Sequence, residues 1–281
     1  MGGLRKENLR MRALFPYLGG KQALSRRLLP LIPPHRIYCE PFGGAASLLF
    51  AKPRSPVEVY NDLDGELVNL FLVVRDHPRE FRERARFILY SRELYRRWRR
   101  EFKGGKAPVD PVERAFRFWY CLWATYGADL GSKGWAFSRR GNPRGDRAFR
   151  KIEEIEAFSE RLKGVYIDHL DFRACFRNWD GPDTFFYVDP PYFGLEPYRV
   201  PFSERDHKDL AEILRGARGK WLLTINDHPF IWNLYKGFMA AKATTKIYVE
   251  KIMGRSRQPF PHLIIINYEP PAAKGWGWKK L

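Results

Sequence analysis

Apolar and polar positions along this chain follow two rhythms. Short apolar runs closed by polar residues or glycine read as buried strands: 36–40, 57–60, 165–168, 184–188, 221–225 and 264–268. Between them, apolar residues at helical spacing predict helices over 22–31, from 48 onward, and over 66–75, 152–162 and 206–214. Strand and helix alternate over 1–75 and again over 151–281, which predicts a parallel α/β sheet. Residues 76–150 break the pattern. There 81–102 is helical and loaded with arginine, 112–126 is an aromatic-rich helix, and 127–146 is a Gly-rich basic loop or hairpin. The expected architecture is one α/β domain, 1–75 and 151–281, interrupted by a mostly helical, basic insertion, 76–150.

Composition agrees with a single large domain carrying an insertion. Of 281 residues, 44% are hydrophobic and 16% aromatic, enough for a substantial core. No run approaches the roughly 20 apolar residues that span a membrane. The N-terminus, Met1 to Arg12, is polar and basic with no secretion signal, so a cytoplasmic protein is expected. Cys39, Cys121 and Cys175 are odd in number and fit neither a zinc site nor a disulfide framework. The histidines do not cluster; His207 and His228 are expected at structural or surface positions, and Trp221 and Trp232 in the core. No metal site is expected.

Charge changes the picture more. The net charge is +18, which suits a polyanionic partner or serves general solubility. Its distribution favours the partner: residues 75–150 hold 20 Lys and Arg against 9 Asp and Glu, a net of +11.

The candidate chemistry lies at strand ends. After the apolar run 184–188 comes Asp189-Pro190-Pro191-Tyr192. Two prolines stop the strand, remove two backbone donors and stiffen the corner. One carboxylate, carbonyls without competing N–H groups and an aromatic ring can together hold an amino-bearing ring. Another turn, Pro41-Phe42-Gly43-Gly44-Ala45, follows Glu40, where glycines let the backbone bend sharply and a ligand approach. A plain strand-to-helix turn explains it equally well. Asp62 ends the next strand, where an acid can accept from ribose hydroxyls or cap a helix, though Asp64 can cap instead. All three features fall on the carboxyl edge of a parallel sheet, where ligands bind.

At these residues the chain resembles the Dam-like DNA adenine-N6 methyltransferases, which use S-adenosyl-L-methionine. Phe15-Pro16-Tyr17-Leu18-Gly19-Gly20-Lys21 is similar to the family's N-terminal motif, with Tyr17 where Trp is frequent. Glu40-Pro41-Phe42-Gly43-Gly44-Ala45 is similar to its cofactor turn, Asn61-Asp62-Leu63 to its ribose motif, and Asp189-Pro190-Pro191-Tyr192 to its catalytic motif. Four motifs in this order cover nearly the whole chain. The resemblance implies a Rossmann-like sheet. It also implies cofactor contacts from Tyr17, Gly19, Gly20, Lys21, Glu40, Pro41, Phe42, Gly43, Gly44, Asp62 and Asp189. Lys21 would lie near the cofactor carboxylate, and Asp168, Asp171 and Phe172 would face its adenine. Asp189 and Pro190 would accept from the target amino group while Tyr192 stacks on a flipped base.

The insertion then reads as the target-recognition part. Arg96 and Arg100 would meet the DNA backbone, and Lys133, Trp135, Arg139, Arg140, Asn142 and Arg144 would reach duplex DNA from the loop. For any one arginine a phosphate contact is favoured over a base contact. The expected protein is a monomeric, DNA-associated methylase of the kind found in restriction-modification. Its rivals are an RNA adenine-N6 or cytosine-N4 enzyme of the same fold and a DNA-binding homologue without turnover.

Overall fold

The computed structural model describes residues 11–17, 21–86, 90–126, 134–137, 143–195, 199–245, 260–270 and 275–281. Its strands are β1 (Ile37–Glu40), β2 (Val57–Asn61), β3 (Val165–Asp168), β4 (Thr184–Val188), β5 (Lys220–Asn226), β6 (Met239–Thr245), β7 (Phe260–Ile266) and β8 (Lys279–Lys280). Its helices are α1 (Gln22–Leu28), α2 (Ser47–Ala51), α3 (Gly65–Asp76), α4 (Pro78–Arg86), α5 (Arg92–Lys103), α6 (Pro111–Ala124), α7 (Pro143–Glu153), α8 (Ile155–Leu162), α9 (Phe172–Trp179), α10 (Glu204–Gly216) and α11 (Pro229–Leu234).

The strands form one sheet in the order β3-β2-β1-β4-β5-β7-β6-β8. The first five are parallel, while β7 runs antiparallel to both β5 and β6. This is the Rossmann-like sheet that the resemblance implies. Central β4 is buried at all five positions, as a strand covered on both faces must be. Alternation sorts its side chains. Tyr38, Tyr60, Phe185, Tyr187 and Leu222 enter a core with α1, α2, α3 and α8. Cys39, Val59, Phe186, Val188 and Leu223 enter the opposite core with α9, α10 and α11.

Helix starts follow local chemistry. Asp64, Ser91, Asp110 and Asp171 each accept a backbone N–H at the start of α3, α5, α6 and α9. Ser203 and Asp206 form a reciprocal capping box on α10. The expected single helix over 81–102 is two helices, because Ser91 opens a new N-terminus. The stretch expected as a loop to 146 includes the start of α7, and the helix expected over 152–162 divides between α7 and α8. Helices α9 and α11 and strands β6 and β8 were not anticipated.

The insertion's helices do not build a separate core. Phe81, Trp98, Phe116 and Trp119 belong to the same apolar cluster as Phe50, Phe71 and Phe158. Helix α6 is buried from Phe118 through Ala124, which explains its aromatic content. Trp221 is in the core as expected, but Trp232 is 44% exposed. Its Nε1 donates to Asp227 Oδ1 at 2.7 Å, so the amphipathic ring keeps its polar edge at the surface. His207 is buried and His228 caps α11, both structural positions.

Candidate active site

The turn after β1 is built around Tyr60. A Cβ at Gly43 would lie 2.1 Å from the Tyr60 ring, so only glycine fits there. Gly44 takes φ +50°, and its carbonyl accepts the Tyr60 hydroxyl at 2.9 Å. Asp62 completes the turn from β2: Oδ2 accepts Gly44 N and Oδ1 accepts Asp64 N, each at 2.8 Å. Burial pushes the Asp62 carboxyl up to about 6, against the pull of those two N–H groups. Glu40 is buried, with Oε1 accepting the Tyr38 hydroxyl at 2.6 Å and Leu49 N at 2.8 Å. Its burial pushes the carboxyl up to about 8.

Asn61 ties three strand ends together. Its Nδ2 donates to Pro41 O at 2.9 Å and Leu170 O at 3.0 Å, and its Oδ1 accepts Leu170 N at 2.9 Å. Nothing in the sequence set this residue apart from the Asp that follows, although a wholly buried amide at a strand end is a signal of such stitching. Leu170, Asp171 and Phe172 then form one wall of a cleft whose other walls are Tyr17, Lys21, Glu40 to Ala45, Asp62 and Asp189 to Pro191. Asp168 does not line it. Its Oδ2 accepts Trp179 Nε1 at 3.0 Å, whereas the sequence expects it to face a cofactor ring.

The corner after β4 places Asp189 against Lys21, whose Nζ lies 2.8 Å from Oδ1 and 2.9 Å from Oδ2. Thr224, from β5, donates to Oδ1 at 2.6 Å. Burial raises the Asp189 carboxyl above its ordinary value, and Lys21 and then Thr224 oppose that shift. Asn226 clamps the chain beyond the prolines: Oδ1 accepts Phe193 N and Nδ2 donates to Phe193 O, each at 3.0 Å. Thr224 and Asn226 are not among the expected site residues, although Thr224-Ile225-Asn226-Asp227 stands where the resembled family has a polar strand end. Tyr192 lies beneath this corner rather than on the cleft wall. It is 5% exposed, with Lys21 Nζ 4.6 Å from its ring centroid and its hydroxyl hydrogen-bonded to His262 Nδ1 at 2.6 Å. Stacking on a base would require that ring to be uncovered.

The residues expected to meet nucleic acid separate into groups. Arg96 and Arg100 are exposed on α5. Trp135 packs against Tyr90 with centroids 4.3 Å apart and the rings tilted by 40°, and contributes to the insertion's packing. Arg144 donates to Thr125 O at 2.9 Å and to Trp123 O at 3.3 Å, so it ties α7 to the end of α6 instead of standing free for DNA. Gly19, Gly20, Lys133, Arg139, Arg140 and Asn142 lie outside the described residues.

Among the described residues there is no cluster of His, Cys, Asp and Glu that could hold a metal ion, and no helix is long and apolar enough to cross a membrane. The model of the D12 class N6 adenine-specific DNA methyltransferases matches residues 17–253. The Type II methyltransferase M1.LlaDCHI of Lactococcus lactis subsp. cremoris is 27% identical, over 95% of this chain and 99% of that protein. The DNA adenine methylase of Escherichia coli (strain K12) is 24% identical, over 73% of this chain and 76% of that protein. With a sheet of this order and a carboxylate corner at its carboxyl edge, the chain belongs to the D12 class N6 adenine-specific DNA methyltransferase family and is an adenine-N6 DNA methyltransferase.

Proposed function

We propose that the cleft over β1, β2 and β4 binds S-adenosyl-L-methionine, and that the Asp189 corner receives an adenine flipped out of duplex DNA. The donor set fits such a cofactor. Gly43 and Gly44 leave the cleft floor as bare backbone, and Phe42, Phe172 and Phe202 offer apolar rings to a heteroaromatic group. Asp62 spends one hydrogen bond per carboxylate oxygen on the turn, and each oxygen has further lone pairs for ribose hydroxyls. Lys21 lines both cleft and corner, so its ammonium can serve a cofactor carboxylate as well as Asp189.

When bound, the cofactor supplies a methyl group already activated on a sulfonium, so the protein need not generate a nucleophile. Adenine's amino nitrogen is weakly nucleophilic because its lone pair is delocalised into the ring. Asp189 and the Pro190 carbonyl accept the two amino hydrogens and favour positive charge developing on that nitrogen. Held there, the nitrogen would take the methyl group from the sulfonium, which would leave as a neutral thioether, and its surplus proton would pass to the Asp189 carboxylate. Thr224 and Asn226 hold the corner rigid for in-line attack. Flipping costs a few kcal/mol, which phosphate contacts from Arg96, Arg100 and the basic loop offset.

The observation that carries this reading is Asp189 buried at the cleft edge, paired with Lys21 and accepting from Thr224. Asp189→Ala is expected to lower transfer of labelled methyl to DNA by about a hundredfold or more, with duplex binding by fluorescence anisotropy retained. Wild-type turnover in that variant would overturn the assignment. Long-read sequencing of DNA from a methylation-free host expressing the chain should show N6-methyladenine in one short motif.

A further inference from the structure

Residues 199–202, between the catalytic corner and α10, lie along the cleft. Val200, Pro201 and Phe202 line it, and the Phe202 ring lies 5.6 Å from Phe42 and 5.5 Å from Phe172. The far end of this segment is fixed at α10, where Ser203 and Asp206 cap each other and Asp206 pairs with Arg173 at 2.6 Å. Its near end is fixed by Arg199, whose Nε lies 3.1 Å from Asp64 Oδ2. The guanidinium also covers the Phe118 ring of α6, 5.0 Å from its centroid. Asp64 is 5% exposed, and its Oδ1 is taken by Glu66 N. Its Oδ2 is buried without a hydrogen bond, so the Arg199 charge compensates it. Burial raises the Asp64 carboxyl, and Arg199 is the largest influence against that shift.

We propose that Arg199 is a positioning residue that pins 199–202 as a strap over the cofactor cleft, by pairing with Asp64 and stacking on Phe118. This rests on the cleft being the cofactor site. A free strap would have to be ordered when the cofactor binds, at a cost in conformational entropy; a pinned one is ordered beforehand. Arg199 suits the task because its flat cation serves a carboxylate and an aromatic face together, which a lysine ammonium does less well.

The test is calorimetry with S-adenosyl-L-homocysteine on the full chain, beside steady-state methylation. Arg199→Gln is expected to weaken binding by about tenfold. The KM for S-adenosyl-L-methionine should rise by about the same factor, while kcat at saturating cofactor stays within about threefold of wild type. Arg199→Lys should fall between the two. Asp64→Asn keeps the oxygen that caps α3 but removes the charge; it should reproduce the loss, and the double variant should add little to either single one. If Arg199→Gln does not fold by circular dichroism, Arg199→Lys and Asp64→Asn decide. Binding within about twofold of wild type in the folded variants, or a loss confined to kcat, overturns the strap. A wild-type chain that does not bind S-adenosyl-L-homocysteine overturns the cofactor site itself.

Discussion

Burial raises the Asp189 carboxyl while Lys21 and Thr224 oppose the shift, and this balance bears on rate. The carboxylate must be ionised to accept the target amino hydrogens. Since its proton affinity is raised above the ordinary 3.8, activity is lost on acidification at a pH above that value. Thr224→Val removes one stabilising donor, so the acid limb of kcat/KM should move further up in that variant; an unmoved limb would separate Thr224 from the charge. Glu40 gives a stability prediction of its own. Its carboxyl titrates at 4.5 when unfolded and at about 8 when folded, so the folded chain holds the extra proton between those values. Its contribution is fully present below 4.5 and is lost as pH rises to about 8. Urea unfolding should show that decline, and Glu40→Gln should flatten it. At this scale the sequence discloses residues with one dominant chemistry, such as Asp189 between an apolar run and two prolines. It does not disclose that Asp168 is turned to Trp179, or that Arg144 is spent on carbonyls, because those partners are distant along the chain or peptide oxygens.

The elements with strong periodicity were legible, and those whose pattern depends on their neighbours were not. β4 follows from an apolar run and α10 from apolar residues at helical spacing. β6, with the sequence Met-Ala-Ala-Lys-Ala-Thr-Thr, has little β propensity and exists because β7 pairs with it. The 81–102 region looked like one helix because arginine is a good helix former throughout; the break comes from a single Ser91 hydroxyl accepting Leu94 N. The cofactor turn was legible as glycines, but the reason for Gly43 is the Tyr60 ring on another strand. Gly43→Ala should therefore destabilise the fold by about 1–3 kcal/mol in urea, since Tyr60 is fully buried and cannot give way. A neutral result would mean that the turn moves as a unit.

Over the whole molecule the net charge of +18 predicts that DNA is held electrostatically. Duplex affinity should fall steeply with salt as phosphate contacts release counterions. Arg96→Ala and Arg100→Ala should each reduce the slope of log K against log salt by about one, with little change in sequence preference. An unchanged slope would remove those side chains from the interface. The two parts of the chain are also joined by charge. Arg114 of α6 grips Glu66 of α3 with two hydrogen bonds, 2.9 and 2.6 Å, just beyond Asp62 and Asp64. Seating of the insertion thus bears on the helix that starts beside the ribose-binding position proposed for Asp62.

On the proposed reading of the insertion as the part that recognises DNA, its core shared with the sheet-side helices limits how specificity can be re-engineered or exchanged. A chimera joined at residues 76 and 150 would cut Phe81, Phe116 and Trp119 away from Phe71 and Phe158, leaving mismatched aromatic surfaces on both halves. Widening the exchanged piece to α3 through α8, residues 65–162, keeps those contacts but cuts Phe71 and Phe158 away from Phe50 and Tyr60 instead. Recognition in this lineage should therefore drift by substitution on loops and exposed arginines more readily than by wholesale shuffling of the reader.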